Sequence, residues 1–451
     1  MNGKGESLRN VYDRRELLRT GGSAATLAAA RLLAPGVFSG CSAQQAVAAT
    51  TSSAAAPVKV GILHSQTGVM GMSESSLRDA EMLAIEEINA DGGVLGRPIE
   101  AVVEDTRSRF TDVFPAKATK LLTQDRVAAV FGCWTSVSRK AVVPVFERLN
   151  GLLFYPLQYE GNESSFNVIY GGSVPNQQIL PAVDWLLSDA GGARKRLFLI
   201  GSDYVFPWTV EYILERYLPS LNRSDVQIVG HYYAPLSEFD FAPAVSAIEQ
   251  AQPDAILSTI NGEGNVHFFA ELAKRGIGSN EIPVMSTSVG EDELRSMKGE
   301  TISGHYSAWS YFQSLDTPRN RRFVRRFQNE HGDDRVISDP MEAAYSLVYL
   351  WKQSVERAQS IEVDAVRDAF AKNIEFAAPG GRIRLDPRNY HTYKRFRIGR
   401  ARADLQFDLV HESPDWIAPE PYPSVAFPGW EVDWSRGGLT RGPAVDIHRP
   451  S

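Results

Sequence analysis

Cysteine is almost missing from this chain. Only Cys41 and Cys133 occur in 451 residues, the first at the end of a leader-like segment and the second just after an apolar run, so they do not read as a disulfide. Cys133 reads as a small buried hydrophobe, because free cysteine is among the most buried residue types. Catalytic signatures are missing too. There is no HExxH, CxxC, GxSxG or GxxxxGK, which excludes the zinc, redox, serine-elbow and phosphate-loop chemistries those patterns serve. The eight histidines, among them His64, His231, His305 and His391, are scattered rather than set at metal-ligand spacing. His64 is the exception to watch, since it ends the first predicted strand beside Ser65. Gly262-Glu263-Gly264 lacks the third glycine of a dinucleotide fingerprint, and Glu263 would repel a pyrophosphate, so no cofactor is expected. Basic excess is lacking as well. Net charge is −7, and residues 1–40 alone carry +3, leaving an acidic body with no face for nucleic acid.

What the chain does have is bulk and alternation. With 43% apolar and 22% charged residues it can bury large cores, and its length suits two or three domains. Residues 1–40 read as a targeting segment, excluded from fold reasoning. Asp13-Arg14-Arg15-Glu16-Leu17-Leu18 resembles a twin-arginine export signal. The Gly/Ala-rich run that follows is broken by Arg31 and Pro35, too poor for a membrane span. Phe38-Ser39-Gly40-Cys41 resembles a bacterial lipoprotein cleavage box, making Cys41 a candidate lipid anchor. Residues 41–57, uncharged and rich in Ala, Ser and Thr, read as a flexible tether. The expected location is therefore the periplasm or cell envelope, with the membrane touched only through that anchor.

From Val58 onward strands and helices alternate. Strands are expected at 58–63, 98–104 and 127–131, with helices at 73–90 and 111–124; this series predicts a parallel sheet covered on both faces. The alternation restarts after Gly161, giving a second such lobe. The predicted class is α/β, with two Rossmann-like, doubly wound lobes. Lobe 1 is expected over 58–172 and lobe 2 over 173–302. Residues 303–411 are expected to return to lobe 1 through hinge and late helices, with 306–312 as the crossover. Residues 412–451, with seven prolines and three tryptophans, read as an irregular surface strap. The arginine run Arg319, Arg321, Arg322, Arg325 and Arg326 reads as one solvated helix face, or else as a docking surface for a partner protein.

The stretch 131–161, FGCWTSVSRKAVVPVFERLNGLLFYPLQYEG, organises the rest. It predicts a strand, a tight turn, a helix opened by Thr135 and Ser136, and a further strand stopped by Pro156. Ligands of open α/β sheets bind where strand carboxyl ends meet helix amino ends. Trp134, Ser136, Tyr155 and Gln158 all fall there: two aromatic faces, a hydroxyl, an amide and no charge. Tyr204 holds an equivalent place at a strand end of the second lobe. The set predicts a cradle for a small, flat, neutral, polar molecule.

These residues carry a resemblance. GGVLGRPIE, FGCWTSVSRKAVVPVFE, GLLFYPLQYEG, YGGSVPNQQ, GSDYVFP and STINGEG resemble bacterial solute-binding proteins for urea and short-chain amides, which are type I periplasmic binding proteins of the branched-chain amino-acid transporter class. The likeness covers roughly residues 58–431. It implies two Rossmann-like lobes joined by three hinge strands, with a solute trapped between them and passed to an ABC transporter permease, and no catalysis. The ligand shell it implies is Ser65, Trp134, Thr135, Ser136, Tyr155, Gln158, Tyr204, Phe206, Ser288 and Glu291. The tail, with Ser413-Pro414 and Pro419-Glu420-Pro421-Tyr422, looks closer to the related cytoplasmic amide-sensing regulators. An amide-responsive regulator therefore stands as the alternative, and an amide-hydrolysing enzyme as a more distant one.

Overall fold

The computed structural model describes residues 56–450 apart from 238, 444, 446 and 448. The leader, Cys41 and all but the last two residues of the tether lie outside the described residues. The first lobe is built on apolar strands that helices cover: β1 (Val58–His64), α1 (Gly71–Ala90), β2 (Ile99–Asp105), α2 (Val113–Lys120), β3 (Val130–Gly132), α3 (Ser136–Leu149), β4 (Leu153–Tyr155) and β5 (Val168–Tyr170). Its sheet is parallel throughout, in the order β2-β1-β3-β4-β5. Near-continuous burial along β1, β3, β4 and β5 is what coverage on both faces demands. Two glycines hold the tight places. Gly93 (φ 77°) ends α1, where a Cβ would sit 2.0 Å from the Arg97 carbonyl oxygen. Gly132 lets β3 approach β1 so closely that a Cβ would meet the Leu63 carbonyl oxygen at 2.3 Å.

The chain then enters the second lobe: α4 (Ile179–Leu187), β6 (Arg196–Ser202), α5 (Val205–Ser220), β7 (Gln227–Ala234), α6 (Ala242–Ala251), β8 (Ala255–Thr259), α7 (Gly264–Lys274), β9 (Val284–Ser286), α8 (Glu291–Leu294), α9 (Gly299–Ile302) and β10 (Tyr306–Trp309). Here the expected crossover at 306–312 is corrected. Tyr306–Trp309 is a fifth parallel strand, paired with β9, and the chain leaves it through Ser310 and Tyr311, Tyr311 packing in the first lobe's cluster while the next residue, Phe312, still packs in the second's. Both of those amides donate to the Asp339 carboxylate, at 3.0 and 2.9 Å. A short aromatic run cannot distinguish a buried strand from a crossing segment, because both are apolar.

Helices α10 (Pro318–His331), α11 (Asp339–Ala358) and α12 (Val363–Phe370) return to the first lobe, where α11 lies along α1 in one apolar cluster. Next come β11 (Glu375–Ala378), β12 (Gly381–Leu385) and β13 (Thr392–Tyr393), an antiparallel sheet of their own, and then β14 (Arg397–Ala401) and β15 (Phe407–Glu412). The last two pair antiparallel to the second lobe, whose sheet runs β15-β14-β10-β9-β8-β6-β7. The segment 303–411 thus contributes strands to lobe 2 as well as helices to lobe 1. The tail is less irregular than its prolines suggest. It carries the hairpin β16 (Glu431–Asp433) and β17 (Gly438–Thr440), buries Phe427 against Tyr212 of α5, and sets Trp434 against Phe166 and Tyr390 of the first lobe.

Trp351 of α11 is fully buried, edge-on to Phe131 of β3 at 6.1 Å. We expect Trp351→Ala to destabilise the fold by about 3–5 kcal/mol, the usual cost of a cavity of that size. Guanidinium-induced unfolding measures it; a loss under about 1 kcal/mol would mean that this cluster does not hold the lobe.

Candidate functional site

The amino end of α3 is built from its cap inward. Thr135 has an extended backbone and its hydroxyl accepts from the Ser138 amide at 3.1 Å, so this residue starts the helix. Just before it, the Trp134 carbonyl accepts from the Tyr155 hydroxyl at 2.7 Å, which ties the ends of β3 and β4 together. Tyr155 is fully buried and stands edge-on to Tyr159 and Tyr170. The Ser136 hydroxyl donates to Glu160 at 2.5 Å and accepts from Arg139 at 3.3 Å.

That last contact corrects the expectation of an uncharged slot. Arg139 and Glu160 are both fully buried, 3.3 Å apart, and Arg139 also donates to Glu163 at 2.7 Å while Lys140 reaches Glu163 at 2.9 Å. The guanidinium lies 4.7 Å from the Tyr155 ring centre and 4.3 Å from that of Tyr159. Burial alone would raise the Glu163 carboxyl, but Arg139 and Lys140 hold it well below the usual carboxylate range. Tyr155 and Ser136 therefore spend their hydroxyls inside lobe 1. Sequence reasoning missed Arg139, Glu160 and Glu163. A signal existed: Arg139 follows Ser136 by one helical turn, and Glu160 lies inside the Tyr159-Glu160-Gly161 run.

The second lobe faces this wall. The Tyr204 hydroxyl accepts from the Asn261 side chain at 2.8 Å, a partner that sequence reasoning did not name, and Phe206 lies beside its ring at 6.3 Å. Burial pushes the Tyr204 phenol well above its ordinary value, and Glu160 and Tyr155 of the first lobe add to the shift. Gln158 crosses the gap. Its Nε2 donates to the Thr287 carbonyl at 3.1 Å and to Ser288 Oγ at 3.3 Å, while Gln178 Nε2 donates to the Thr287 and Ala308 carbonyls. Gln158 Oε1 is buried and has no partner among the described residues. On Glu291, Oε1 accepts from the Gln313 amide at 2.6 Å, and buried Oε2 has no partner among the described residues.

Further contacts close the rim. Ser76 donates to Asp292 at 2.7 Å and Ser73 to Glu293 at 3.4 Å, fastening α1 to α8; Arg335, after α10, donates to Asp79 of α1 at 3.0 Å, and Ser76, Asp79, Asp292 and Arg335 line a cavity of about 470 Å³. Ser65 stands apart from these groups. Its hydroxyl meets Thr106 at 2.8 Å and accepts from the Ser108 amide, binding the loops after β1 and β2 within lobe 1. His64 is also internal, with Glu81 at 3.0 Å on one nitrogen and Glu74 at 3.6 Å from the other. Burial opposes its charge, yet those two carboxylates raise it to about 9. Burial pushes the Cys133 thiol up, which leaves it unreactive. Among the described residues, no group of three or more His, Cys, Asp or Glu side chains is set to hold a metal ion.

A family profile described as a periplasmic binding protein domain matches residues 58–427, most of the chain. The chain belongs to that family. Curated relatives include the Leu/Ile/Val-binding protein homolog 6 of Brucella melitensis, 22% identical over 345 residues that cover 74% of this chain and 85% of that one. A limonene hydroxylase of Geobacillus stearothermophilus is 35% identical over 128 residues, 28% of this chain and only 22% of that protein's length. Among solved structures, a solute-binding protein of an ABC transporter from Rhodopseudomonas palustris BisB5, in complex with 3,4-dihydroxybenzoic acid, superposes with a TM-score of 0.71 at 20% identity, covering 80% of this chain and 99% of that one. The substrate-binding protein LivJ from Streptococcus pneumoniae, in complex with isoleucine, gives 0.68 at 18% identity, covering 80% and 100%. At those identities the likeness speaks for the two-lobed periplasmic binding protein fold.

Burial raises Glu291 and Glu293 to about 8, with Asp339 and Glu293 adding to the first and Asp292 to the second. Both carboxyls lie where the lobes of the periplasmic binding protein meet. Folding holds on them protons that the unfolded chain releases near pH 4.5. Their contribution is thus complete below that pH and is lost as pH rises towards about 8. We expect the melting temperature to fall between pH 5 and 8.5, and Glu293→Gln to flatten the fall. A variant whose pH profile parallels the parent's would contradict this.

Proposed function

We propose that this protein is an exported, non-enzymatic solute receptor that closes its lobes on urea or a short-chain amide and delivers it to an ABC permease. The observation that carries the reading is an unmatched buried acceptor between the lobes, Gln158 Oε1. A buried acceptor without a partner costs about 1–3 kcal/mol, so this place favours a ligand rich in N–H groups and short of acceptors. Urea has four N–H donors and one carbonyl. The Tyr204 and Phe206 rings supply apolar cover from the second lobe. A carboxylate ligand is poorly served, because Arg139 is already paired with Glu160 and Glu163. Ligand contacts with both lobes favour the shut arrangement over the open one, which is how binding is coupled to delivery. The family match and the export-like leader support the receptor over a cytoplasmic regulator.

The named relatives favour a second reading, since they are called Leu/Ile/Val-binding homologs or hold aromatic acids and isoleucine. Titration calorimetry separates the two. We expect heat with urea, acetamide or formamide and none with leucine or 3,4-dihydroxybenzoate, and we expect Gln158→Ala to weaken the binding roughly tenfold or more. Heat with leucine alone would replace the proposal. Sustained ammonia release from urea or acetamide would make the protein an enzyme instead.

A further inference from the structure

Helix α10 carries its arginines on one side. Arg319, Arg322 and Arg326 recur at steps of three and four, so they share a face, and together they line a cavity of about 460 Å³ on the outside of the first lobe. Arg325 is exposed beside them. Arg321 is paired with Asp316, but Arg319, Arg322 and Arg325 have no ion-pair or hydrogen-bond partner among the described residues. The acids nearby are partly committed. Glu87 accepts from both the Tyr345 and Tyr349 hydroxyls, at 2.5 and 2.9 Å, and the Glu86 carboxyl is raised by burial and by Glu330 despite Arg326. Asp91 is the remaining acid on the cavity wall.

The position of this face singles out its partner. Asp91 immediately follows α1, and the tight turn through Gly93 brings the chain to Arg97. Arg97 donates to the carbonyls of Ala56 and Pro57, at 2.7 and 3.1 Å. The described chain therefore begins beside Arg97, six residues along from Asp91 on the wall of the arginine cavity. In the sequence, residues 42–57 carry no charge and read as a tether from the candidate anchor Cys41. A lipid at Cys41 would hold this pole near the membrane.

We propose that the α10 arginine face docks on anionic phospholipid headgroups and sets the orientation of the anchored receptor. Four guanidinium groups on one pole give the anionic surface a charge to hold, although the chain as a whole is negative. The inference rests on the anchored-receptor reading, so the test is made in full-length Cys41→Ser protein, where lipidation is absent and its failure has no bearing.

Sedimentation with vesicles of phosphatidylcholine containing one part in three phosphatidylglycerol is compared with phosphatidylcholine alone. We expect roughly tenfold or more tighter association with the anionic vesicles in low salt, lost at high ionic strength as exposed charges are screened. Replacing Arg319, Arg322, Arg325 and Arg326 together by Ser should abolish the difference; replacing the same four by Lys should keep it. Solute heats and melting temperature should remain those of the parent in the Lys variant. Equal association with neutral vesicles overturns the proposal, as does anionic binding that persists in the Ser variant, since the leader is then responsible. Absence of any vesicle binding overturns it as well and returns α10 to an acidic protein partner. Should the Ser variant not fold, salt-insensitive binding of the parent decides against it.

Discussion

One side-chain amide carries much of what the two lobes do together. Gln158 leaves the end of β4 in the first lobe and donates to Thr287 and Ser288 of the second, yet its own oxygen accepts from nothing among the described residues. Glu291 adds a second unpaired group from the other side: one oxygen accepts from the Gln313 amide, and the other, buried, has no partner among the described residues. Such groups are costly when the lobes are shut and cheap when water reaches them. On the proposed function, closure is poised: the contacts at the rim favour it, the unmatched Gln158 oxygen opposes it, and a small donor-rich solute would remove the opposition. That coupling distinguishes a receptor that reports occupancy from a pair of lobes that simply adhere.

Behind the wall that faces the second lobe lies a charge network the surface chemistry does not advertise. Arg139 is buried with Glu160, Glu163 and two tyrosine rings, and Ser136 hangs from Glu160 by its hydroxyl. An isolated buried guanidinium would be untenable. Two carboxylates and the ring faces make it tolerable, and removing either acid would leave a charge unmatched. The network fixes where Ser136 and Tyr155 sit, so the wall is rigid before any solute arrives. It also occupies the cation that a carboxylate solute would otherwise use.

Much of the architecture was legible from residue order. Buried apolar runs separated by helical stretches predicted both parallel sheets, and Gly92-Gly93 marked the end of α1. The crossover was misread at Tyr306–Trp309, because burial writes the same apolar signature on a strand and on a crossing segment. The tail was misread in part, since its prolines conceal a hairpin and two anchoring aromatics, Phe427 and Trp434. At the candidate site, Trp134, Ser136, Tyr155 and Gln158 could be picked out as strand-end residues. Which of their polar atoms were free could not, because Tyr155 spends its hydroxyl on the Trp134 carbonyl and Ser136 spends its own on Glu160.

The sequence by itself determined the alternation of strands and helices and the residues gathered at strand ends, for those depend on local pattern and short spacing. Only the tertiary structure decided which of those residues face the other lobe, which charges lie buried behind them, and which acceptors stay unmatched. The physical reason is distance along the chain. Gln158 meets Ser288, and Ser76 meets Asp292, across more than a hundred residues, and no local periodicity carries information about such a meeting.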